Sequence, residues 1–104
     1  MTPAEVRMIE CAESIKGILD EYRGGEANQR AIGEARPSIE EIDKLSPNGY
    51  MHERTHSLMT WIEIFYSAQK HLNYGGAKRV RMHILDDITK IQAFVRTGRA
   101  KEAT

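Results

Sequence analysis

The chain has 104 residues, a mass of 11.8 kDa and a formal net charge of zero, fifteen Lys and Arg balancing fifteen Asp and Glu. That size implies one domain, spanning 1–104. A hydrophobic fraction of 40% with 29% charged residues excludes a wholly disordered chain and a collagen-like repeat, and no apolar run approaches the roughly 18 residues of a membrane span.

The opening residues are acidic and amphipathic, unlike a secretory leader. The single cysteine, Cys11, has no partner for an internal disulfide, so a reducing, cytoplasmic setting is expected. The zero net charge hides a polarity. Residues 1–53 carry eleven acids and six bases, whereas residues 54–104 carry nine bases and four acids. Such a chain can pair its halves internally, stack head-to-tail with copies of itself, or offer its basic half to an anionic partner.

The first helix is expected over about 3–23. Thr2, Pro3 and Glu5 make a capping box with proline at the first helical position. Met8, Cys11, Ala12, Ile15, Ile18, Leu19 and Tyr22 share one face, and Gly24-Gly25 supplies a stop. Val6 and Ile9 fall off that face. Residues 24–49 read as an irregular connection, because Gly33 and Pro37 weaken any helix there. Within it, a second capping box at Ser38 to Glu41 opens a short helix over 39–45, followed by the turn signal Ser46-Pro47-Asn48-Gly49. Arg30 and Arg36 lie in this stretch and are candidate contact residues.

A second long helix is expected over 50–73, with a wide apolar face from Leu58 to Leu72 that includes Trp61, Phe65 and Tyr66. These three aromatics are core or interface anchors. After Gly75-Gly76 a third long helix runs over 77–97, striped by Val80, Ile84, Ile88, Ile91 and Val95, and a polar tail frays over 99–104. The expected fold is all-α: a small helical bundle of three long helices and one short one. Its last two helices form an antiparallel hairpin, and the wide aromatic face predicts a homo-oligomer.

Two motifs carry possible chemistry. His52-Glu53-Arg54-Thr55-His56 resembles the zincin metalloprotease signature over five residues, with two histidines spaced to share Zn²⁺. That family places a strand-lined cleft beside the helix and adds a third ligand. No strand is legible here, and Glu63 is eleven residues beyond His52, about 16 Å along the axis. Glu53 and His56 also resemble the Glu-x-x-His element of ferritin-like di-iron bundles, which implies Fe or Zn at Glu53 and His56, with His52 or Glu63 as helpers and Glu21, or Glu10 and Glu13, contributing from the first helix or a second copy supplied by a symmetric oligomer. Against both stands a plain alternative, in which these residues form a solvated polar stripe. The second motif is the basic last helix. Arg79, Arg81, Lys90 and Arg96 are candidates for binding a nucleotide or nucleic acid, although no recognised nucleic-acid motif accompanies them.

The reading that unites these features is a non-enzymatic interaction protein with a protein partner, no cofactor and no catalytic residue. Small charged helical proteins of this kind serve as adaptors, assembly subunits or inhibitors, including those of phages and mobile elements. Metal binding and nucleic-acid binding are the alternatives.

Overall fold

The computed structural model describes residues 1–99, and every regular element among them is helical. The expected all-α class is therefore observed, but with four helices of similar length. These are α1 (Pro3–Glu21), α2 (Gln29–Leu45), α3 (Gly49–Phe65) and α4 (Ala77–Arg96), with a short 3-10 segment at Lys70–Tyr74 between the last two. None of the helices is long and apolar enough to cross a membrane. The part of the tail beyond Arg99 lies outside the described residues.

The capping box on α1 forms as expected. The Thr2 hydroxyl accepts from the Glu5 amide, and the Thr2 amide donates to the Glu5 carboxylate at 2.8 Å. The helix ends at Glu21, before the two glycines.

The irregular connection expected over 24–49 is corrected. Residues 29–45 are one continuous helix, and Ser38 lies inside it rather than at its start. Asn28 caps this helix by accepting from the Ala31 amide at 3.0 Å. Pro37 sits within the helix, where it removes one backbone donor and crowds the carbonyl of Gly33, four residues back. Pro37 and Gly33 are both exposed, so water can satisfy that carbonyl. Burial of Ala31, Ile32, Ala35, Ile39 and Ile42 on the opposite side offsets a penalty of about 3 kcal/mol for the proline.

The second correction concerns α3, which stops at Phe65 instead of reaching residue 73. Tyr66 takes the cap position, its amide bonded to the Ile62 carbonyl at 3.0 Å. The chain then turns, so that Tyr66 and His71 are buried while Leu72 is exposed. Gly75 and Gly76, both at positive φ, end the 3-10 segment and start α4.

Each helix packs on two neighbours, α1 on α2 and α4, and α3 on α2 and α4. The four apolar faces meet in one core that includes Met8, Ile15, Ile42, Met51, Leu58, Ile62, Ile84 and Ile88. One end of the bundle is fastened by polar bonds. The Gly25 amide donates to the Phe65 carbonyl at 2.8 Å, His71 Nε2 meets the Gly25 carbonyl at 3.1 Å, and the Tyr66 hydroxyl donates to the carbonyls of Ile18 and Tyr22. Cys11 is buried in the core, as its place on the apolar face of α1 predicts.

Candidate functional site

The seam between α3 and α4 gathers most of the unusual side chains. At one end the Tyr50 ring stacks on Phe94 at 4.6 Å, and the Arg99 guanidinium lies over Phe94 at 5.1 Å. In the middle, Asp87 is only 3% exposed. Its carboxylate accepts from Ser57 Oγ at 2.6 Å and from Arg54 Nη1 at 3.2 Å. Arg54 also lies over the Tyr50 ring at 5.6 Å. At the far end Trp61 stacks face to face on His83, centroids 4.3 Å apart and planes 7° off parallel, and meets Tyr74 edge-on at 5.2 Å.

These contacts occur in reversed order along the two helices, from Tyr50 with Phe94 through Arg54 with Asp87 to Trp61 with His83. The stacking holds the rings at the surface without burying them all. Tyr50 is 40% exposed and Tyr74 47%, and Met82 on the outer side of α4 is 66% exposed. Cations add a second quality: Arg79 and Lys90 are exposed on the side of α4 that carries His83 and Asp87, and Arg99 is exposed over Phe94, whereas Lys78 and Arg96 fall towards the outer side of the helix.

Burial pushes the Asp87 carboxyl above the usual carboxylate range, against the opposing pull of the Ser57 hydroxyl and the Arg54 charge. Sequence periodicity gave no sign of this buried ion pair. The only legible hint is that Asp87 falls beside Ile84, Ile88 and Ile91 on the inward side of α4.

The residues singled out from the sequence separate into several groups. Of the three aromatics, Trp61 lies on the seam, but Phe65 and Tyr66 are buried and form part of the core, not an outer surface. Arg30 is exposed and pairs with Glu34 at 3.3 Å along α2. Arg36 reaches Glu63 of α3 at 3.8 Å, so it ties the two helices together.

The four basic candidates do not form one patch. Arg81 turns to α1, where it donates to the Leu19 carbonyl and to Asp20. Lys90 pairs with Asp86 at 2.9 Å. Arg79 and Arg96 are exposed, and each is without an ion pair among the described residues.

The histidine motif lies on the other side of α3. His52 Nδ1 is 3.1 Å from Asp43 of α2, and the rings of His52 and His56 are 4.5 Å apart. Glu53 and Glu63 are exposed, Glu63 being engaged by Arg36. Among the described residues, no group of three or more His, Cys, Asp or Glu side chains is placed to hold a metal ion. A shallow groove of about 310 Å³ between α2 and α3 is lined by Arg36, Glu40, Asp43, His56, Met59 and Glu63, among others.

No protein-family model, no curated protein and no solved structure matches the chain.

Proposed function

We propose that this protein acts by contact with another macromolecule, that the seam of α3 and α4 is its recognition face, and that the surface it fits is an acidic protein surface. The observation that carries this reading is the ladder of rings from Tyr50, stacked on the buried Phe94, to Trp61, His83 and Tyr74, its outer rings kept partly exposed beside Arg79, Lys90 and Arg99. Aromatic residues, Met and Arg are the types enriched where proteins bind one another. Rigid rings lose little entropy on contact, and the surrounding cations favour an anionic partner. The reversed order of contacts supports an antiparallel hairpin of α3 and α4 as the frame of this face. The role is non-enzymatic recognition, as an adaptor, assembly subunit or inhibitor.

The chain has one tryptophan, and it lies on the face in question, so its fluorescence reports binding directly. Titration with poly-L-glutamate at low salt should change Trp61 emission. The midpoint should rise steeply with added NaCl, and Tyr74→Ala with Arg79→Ala should weaken binding about tenfold. Silence towards poly-L-glutamate sinks the reading. Tighter binding to oligothymidylate than to poly-L-glutamate favours the nucleic-acid alternative instead.

A further inference from the structure

We propose that the acidic surface taken by α4 belongs to a second copy of this chain: the outer face of its α1. This deepens the reading above and rests on it. The supporting observation is charge complementarity in register.

On the outer side of α1, Glu10 and Glu21 are exposed, and between them lie two small exposed residues, Ser14 and Gly17. A Cβ built on Gly17 would meet nothing within 4 Å, so the helix surface is open there. On α4, Arg79 and Lys90 stand eleven residues apart, the same separation as Glu10 and Glu21, or about 16 Å along a helix. Between them projects Met82, the most exposed large apolar side chain of α4. When α4 of one copy is laid antiparallel on α1 of another, Arg79 faces Glu21 and Lys90 faces Glu10. Met82 then falls opposite the open surface at Gly17, and Asp86 falls opposite Ser14, whose hydroxyl can donate to it. Val6, also exposed, comes opposite Ala93.

The interface joins two different faces of the chain, so copies add head-to-tail. This matches the polarity of the sequence, whose first half is net acidic and whose second half is net basic.

The test is native mass by light scattering or sedimentation at about 200 µM and low salt. Wild type should form species of two or more chains that disperse as salt rises. Arg79→Glu with Lys90→Glu destroys only the donor face, and Glu10→Lys with Glu21→Lys destroys only the acceptor face. Each double variant alone should associate at least about tenfold more weakly. In an equimolar mixture the intact α4 of one variant meets the intact α1 of the other, and the two charge-exchanged faces complement one another as well, so the mixture should recover association. A wild type that stays a single chain, or a mixture no more associated than its parts, overturns the proposal. Trp61 titration with poly-L-glutamate on the same sample then separates the two failures. A response leaves the recognition face standing without the second copy, and no response removes both.

Discussion

Arg54 of α3 and Asp87 of α4 form an ion pair at 3.2 Å across the helix seam, with Ser57 closing on the second carboxylate oxygen. Asp87 is nearly inaccessible, so its charge depends on these two donors. Arg54→Met keeps the bulk but removes the cation, and should destabilise the fold by about 3 kcal/mol at pH 7 in urea unfolding. The pH dependence has a definite sign. Burial raises the Asp87 pKa in the folded state, so ionising it costs stability as pH climbs from the ordinary carboxylate value through the raised one. Loss of Arg54 increases that cost. The deficit of Arg54→Met should therefore shrink as pH falls through the raised value, where Asp87 takes up a proton, and a deficit independent of pH refutes the pairing.

Two glycines should respond in opposite ways to the same change. A Cβ on Gly24 would run into the buried Phe65 ring, an overlap no relaxation of a buried aromatic easily absorbs. Gly24→Ala should cost about 1–3 kcal/mol. Gly33 is in mid-helix on an exposed surface, with nothing within 4 Å of the added atom. Gly33→Ala should stabilise by about 0.5–1 kcal/mol, raising Tm by several degrees. Thermal melts of the two variants decide both points.

The contrast between these glycines also explains where the sequence was legible. Apolar spacing alone locates α1 and α4 to within one or two residues, because caps and stripes agree there. It fails at Pro37, where local propensity forbids a helix but the inward side chains Ala35 and Ile39 gain enough burial to carry the helix through. It fails again after Phe65, where continued helical spacing predicts Leu72 on the apolar face, yet the chain turns and inserts Tyr66 and His71 instead. The aromatic residues were visible as types, but their division into core (Phe65, Tyr66) and surface (Trp61) depends on that turn. The Arg54 and Asp87 pair was invisible, since it joins residues far apart in sequence on two different helices.

The Tyr66 hydroxyl is a sensitive probe of the fastened end of the bundle. It reaches the Tyr22 carbonyl at 3.1 Å and the Ile18 carbonyl at 3.3 Å, and burial drives its pKa up to about 12. Tyr66→Phe keeps the ring and strands the Tyr22 carbonyl, so it should cost about 1 kcal/mol in chemical denaturation. Amide exchange at Gly25 and Asn28, which donate to Phe65 and Tyr66, should quicken in the same variant. A loss of stability without faster exchange at these two amides shows that the tie does not hold the α1–α2 connection.

Cys11 should be chemically quiet in the native protein. It lies in the core, and burial, with the Glu41 charge adding to it, pushes the thiol pKa up, so little thiolate exists near neutral pH. Reaction with a thiol reagent then requires the helices to part. The labelling rate should be slower than in urea by a factor on the order of a thousand or more, and it should follow the equilibrium stability of each variant. Gly24→Ala should therefore label faster than wild type and Gly33→Ala more slowly. Rapid labelling of the native chain, equal in all three proteins, places Cys11 at the surface and contradicts the packing of α1 on α2 and α4.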